Sequence, residues 1–66
     1  MSYSLVGIDG NVFNIIAYTI EAMRRTKYSK KEREEFQNKL FSQHDYYTVV
    51  AMCADKIDEI NKERIK

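Results

Sequence analysis

From Asn11 to its C-terminus this chain contains neither glycine nor proline. These are the two strongest interrupters of a helix, glycine through backbone entropy and proline through its missing N–H and its ring. Proline is absent altogether, and the only glycines are Gly7 and Gly10. Turns after Asn11 must therefore be made by capping chemistry. The expected fold class is mainly α: a short N-terminal strand or extended arm over residues 2–8, followed by a three-helix bundle. The 66 residues form one small domain, 1–66.

The arm, "SYSLVGI", is rich in β-formers and precedes a turn signal. A lone strand must find a mate. It could lie across the helices, pair with C-terminal residues, or pair with the same strand of another chain. The first helix is expected over about 12–26. Phe13, Ile16, Ile20 and Met23 recur at spacings of three and four and make its core stripe. The second, about 30–41, opens on a capping box, Ser29 with Glu32. Phe36 and Leu40 are its anchors, joined by Phe41, and Glu35 is placed to pair with Lys39. The third, about 45–64, takes Asp45 as N-cap, with Ser42 as the other candidate. Its stripe is Tyr46, Val49, Val50, Cys53, Ile57 and Ile60, and Asp58 is well placed for Lys62. The predicted core is Phe13, Ile16, Ile20, Met23, Phe36, Leu40, Val50, Cys53 and Ile57.

A domain of this size buries only about 60% of its unfolded surface, so its core is marginal. Cys53 is the sole cysteine and His44 the sole histidine, which leaves no disulfide and no Cys/His set for structural zinc. Tight helix packing or self-association must supply the stability. The formal net charge of +1 does not suit a protein that coats DNA. A lone cysteine and an N-terminus without a secretion signal point to the cytoplasm. No apolar stretch approaches the roughly 18 residues that span a membrane.

Several short elements together resemble a family of very short, uncharacterised proteins of phages, prophages and bacterial genomes. The elements are Leu5, Gly7, Asp9, Gly10, Asn11 and Phe13 in an L-x-G-x-D-G-N-x-F start; Ala22 with Arg24; Ser29, Lys30 and Glu32; and Ser42, Asp45 and Tyr46. The resemblance runs over nearly the whole chain, although this chain ends in the charged "DKIDEINKERIK". It implies a phage-related setting and no reaction.

Four stretches could carry function. "GIDGN" has neither dinucleotide-loop nor P-loop spacing, and as a calcium loop it stops matching at Phe13. It reads as a turn and cap, with Gly10 free to take positive φ and Asp9 or Asn11 accepting an early helix N–H. Gly10→Val is accordingly expected to cost stability. "RRTKYSKK" carries Arg24, Arg25, Lys27, Lys30 and Lys31 around Tyr28. That group could meet nucleic acid, with Tyr28 stacking on a base, or an acidic protein surface; the alternative is a solvated turn neutralised by Glu32, Glu34 and Glu35. "HDYY" places His44 beside Asp45, but adjacent residues lack the geometry of a base and its orienter, and no nucleophile accompanies them. Tyr46 is assigned to the core and Tyr47 to an exposed contact. Lastly, Tyr3, Leu5, Val6, Ile15, Tyr18 and Tyr47 exceed what one small core is expected to bury, unless the arm covers them. The expectation is a non-enzymatic interaction or self-associating protein with no catalytic residue, metal, cofactor, small-molecule substrate or membrane. Its partner is another protein or itself. The alternative is a nucleic-acid-binding accessory protein.

Overall fold

The computed structural model describes residues 3–5, 7, 8 and 10–63. Three helices follow one another: α1 (Val12–Arg25), α2 (Lys30–Phe41) and α3 (Tyr46–Glu63). No strand occurs among the described residues; those ahead of α1 form an arm outside the helices, with a turn in which the Ile8 N–H donates to the Leu5 carbonyl. Helix α1 is central and packs against both α3 and α2. No helix among the described residues is long and apolar enough to cross a membrane. Ser2, Val6, Asp9 and position 64, which carried expectations, lie outside the described residues.

Each helix boundary has a local cause. Asn11 caps α1 by accepting the Phe13 N–H on its side-chain oxygen at 2.8 Å. At the far end Lys27 takes φ 73°, and the Tyr28 N–H reaches back to the Met23 carbonyl at 3.2 Å. This closure is a Schellman motif, accompanied by burial of Tyr28 and Met23 in one cluster. Two residues on, Ser29 accepts the Glu32 N–H while the Glu32 carboxylate accepts the Ser29 N–H, at 3.1 and 2.8 Å. A helix stop thus runs straight into a helix start, and no glycine is needed. Ser42 closes α2 as its C-cap. Asp45 then opens α3, accepting the Tyr47 N–H at 3.2 Å and the Thr48 hydroxyl at 3.0 Å.

The buried face of α1 is Ile15, Ile16, Thr19, Ala22 and Met23. At about 100° per residue this face centres on Thr19 and puts Phe13 about 120° away. Phe13 is therefore not core: it is 66% exposed. Thr19 can occupy the centre because its hydroxyl donates to the Ile15 carbonyl at 2.9 Å, which leaves no polar group unpaired. Thr26 does the same with the Ala22 carbonyl at 2.7 Å. Ile20, Phe36 and Val50, expected as core, are partly buried at its edge. Phe41 is exposed and no anchor, since it lies one residue round the helix from the buried Leu40. Two apolar clusters result. One joins Ile15, Ile16, Leu40, Val49 and Cys53; the other joins Ala22, Met23, Tyr28, Ile57 and Ile60.

The arm lies across α1 and α3. Asn61 of α3 holds both backbone groups of Tyr3: its oxygen accepts the Tyr3 N–H, and its NH₂ donates to the Tyr3 carbonyl, each at 2.8 Å. The Ser4 N–H donates to the Tyr18 hydroxyl at 3.0 Å. The Tyr3 and Tyr18 rings meet edge to face with centroids 6.0 Å apart. Leu5 packs against both clusters and Ile8 against the first. A positive φ falls on Gly7, at 87°, where the arm turns back toward α1.

Candidate interaction surface

The apolar surplus gathers at one end of the bundle. There the last turn of α2, the first turn of α3 and the first turn of α1 surround a recess of about 280 Å³. Ile16, Leu40 and Val49 supply its inner lining, and Phe13, Phe41 and Tyr46 its rim. Phe13 is 66% exposed, Phe41 54%, Tyr46 43% and Tyr47 78%. Tyr46 is therefore a rim residue and not core. It lies on the apolar side of α3, but in the first turn, where the packing leaves its ring partly open. Its hydroxyl donates to the Gly10 carbonyl at 2.6 Å and ties this end to the start of α1. The Tyr47 ring stands edge-on to it, centroids 5.5 Å apart. His44 and Asp45 lie beside the recess. The Asp45 carboxylate is engaged by the α3 cap, so it does not orient His44 for chemistry.

The other sites expected from sequence are largely engaged within the chain. Tyr3, Leu5 and Tyr18, expected as contact residues, are half-buried by the arm's own docking. Positive φ was expected at Gly10 and falls instead on Gly7; a Cβ at Gly10 would meet nothing closer than the Tyr46 hydroxyl at 3.9 Å. The predicted cost of Gly10→Val therefore loses its basis in backbone strain.

The basic turn is also altered. Glu21, one turn upstream, accepts a two-pronged bond from Arg24 and a further one, 2.8 Å long, from Arg25. These two guanidinium groups hold the Glu21 carboxyl down to about 2, well below the usual carboxylate range. Arg24 is correspondingly pushed up by Glu21. Lys27, Lys30 and Lys31 are exposed. Tyr28 does not offer its ring to a base. It is 7% exposed, and its hydroxyl donates to Glu59 at 2.7 Å. The same Glu59 oxygen accepts from the Lys56 ammonium at 3.1 Å. That ammonium lies 5.1 Å from the Tyr28 ring centroid and 5.3 Å from that of Phe36. A cleft of about 220 Å³ between α2 and α3 is thus occupied at its aromatic floor by the protein's own cation.

Sequence reasoning missed Glu21, Lys56 and the exposure of Phe13 and Phe41. The Glu21–Arg24 and Glu21–Arg25 spacings were a readable signal. The seat of Lys56 was not, because it depends on how α2 crosses α3. Among the described residues no group of His, Cys, Asp and Glu could hold a metal ion. In comparisons with protein-family models, curated proteins and solved structures, nothing matches this chain.

Proposed function

We propose that this protein is a small, non-enzymatic interaction module of phage or prophage type that acts in the cytoplasm and binds another protein or itself. One observation carries the reading: four large rings stay exposed at one end of a bundle that buries its other aromatics wholly or in part. Exposed apolar surface gathered in one place is the usual mark of a partner site. The recess is open and lined mostly by apolar side chains, which suits an apolar side chain of a partner. The phage setting rests on the motif resemblance around Asp9, Gly10, Asn11 and Phe13.

Nucleic-acid binding through the basic turn is the weaker reading. Lys27, Lys30 and Lys31 support it. Engagement of Arg24 and Arg25 by Glu21 and burial of Tyr28 count against it.

The test is affinity retention from a bacterial lysate, with and without nuclease, using wild type, Tyr47→Glu and a Lys27/Lys30/Lys31 charge reversal. Nuclease-resistant association, self or foreign, that Tyr47→Glu removes is expected. Nuclease-sensitive retention that only the charge reversal removes would overturn the proposal.

A further inference from the structure

We infer that the occupant of the aromatic end is a second copy of this chain, docked about a two-fold axis with the same face of each copy in contact. The inference rests on the interaction reading above and names its partner.

At about 200 Å² per aromatic side chain, the exposed parts of Phe13, Phe41, Tyr46 and Tyr47 amount to roughly 500 Å². That matches the largest apolar patch a typical monomer leaves open, in a chain of only 66 residues. Two such faces brought together would remove roughly 1,000 Å² from water through the rings alone. This reaches the lower bound for a specific interface before any rim atoms are added.

A two-fold interface must be self-complementary, because each residue meets the same surface patch that carries it. This face has both halves of such a fit. Phe13 and Phe41 are exposed on it, and they line the same recess as the buried Ile16, Leu40 and Val49. A ring from one copy can enter the recess of the other while returning the same contact.

A face that meets its own copy sets like charges opposite one another, which is destabilising unless the face is nearly neutral. The residues lining this recess include no lysine, arginine or glutamate, and the one carboxylate, Asp45, caps the N-terminus of α3, where the helix dipole partly offsets its charge. The basic turn, with three exposed lysines, fails this condition. A charged foreign partner would find little on the aromatic end to recognise.

Sedimentation equilibrium across micromolar to millimolar concentration tests the inference. It would use wild type, Phe41→Glu and Tyr47→Glu, with helicity checked by circular dichroism. Both altered side chains are exposed, and the second variant serves if the first loses its helices. The expected result is a wild-type dimer whose dissociation constant rises at least tenfold in a folded variant. A wild type that stays monomeric throughout would overturn self-pairing. So would a dimer that both folded variants preserve. If wild type is monomeric yet retains a lysate protein that Tyr47→Glu releases, the interaction reading stands and the second copy is wrong. If nothing associates in either assay, both fall.

Discussion

Two glycines three residues apart do different work. Gly7 has φ 87°, a backbone conformation that a Cβ resists whatever the free space, and the space there is open. Gly10 has no such requirement and has room for a methyl group. Gly7→Ala is therefore expected to cost about 1 kcal/mol. Gly10→Ala is expected to be neutral or to stabilise by up to about 1 kcal/mol, because it removes unfolded-state freedom. Paired chemical denaturations check both, and equal losses at the two positions would contradict the assignment. The distinction was not readable in "GIDGN", since either glycine could have made the turn. Thr19 shows a related limit. Its polarity kept it out of the predicted stripe, yet its own helix satisfies the hydroxyl, and the whole core face rotates to centre on it. A helical wheel weighted by hydrophobicity cannot see a hydrogen bond to the residue four back.

The helices themselves were legible almost to the residue, because their limits are set locally. Ser29 with Glu32 and Asp45 declare their starts in sequence, and the caps form as expected. Less legible was the end of α1. There Lys27 occupies the left-handed C′ position that glycine usually fills. Lys27→Gly should stabilise the protein by about 0.5–1 kcal/mol by relieving that conformation, as a thermal melt would register. A lower melting temperature would mean that the lysine side chain contributes more than its backbone costs. The same end of α1 predicts a pH response. Glu21 is held at about 2 against 4.5 for an ordinary carboxyl, so its contribution is complete above about pH 4.5. It is lost progressively as pH falls from 4.5 toward 2. Glu21→Gln should flatten the acid limb of stability in that window and leave the neutral-to-alkaline region parallel to wild type. An acid limb of unchanged slope would show that the clamp does not persist in solution. The surface exposure of these groups keeps the effect small. The aromatic end was not legible at this scale. Phe13, Phe41 and Tyr46 fit an apolar stripe by spacing. Only the relative ends of three helices decide that nothing covers them.

At the scale of the whole molecule the protein is a thin slab, 33 × 27 × 15 Å, so few side chains lie far from water. Cys53 is among those few: like Thr19 and Ile60 it has no exposed surface, and burial pushes its thiol pKa up, with Thr19 partly opposing the shift. A slab this thin needs a cover on its open face, and the arm supplies one through the Tyr3–Asn61 clamp. Those two residues are 58 positions apart, nearly the full length of the chain. Closing so long a loop is entropically unfavourable until the helices have already brought its ends together, so the clamp belongs to the last steps of folding. An interaction absent from the transition state acts on unfolding alone. Asn61→Ala, which removes two hydrogen bonds worth about 1–2 kcal/mol together, should leave the refolding limb in stopped-flow measurements unchanged. It should accelerate unfolding roughly tenfold; a slowed refolding limb would place the arm in the nucleus instead. With that outcome, the strap would set the lifetime of the native state and the helices the speed of its formation.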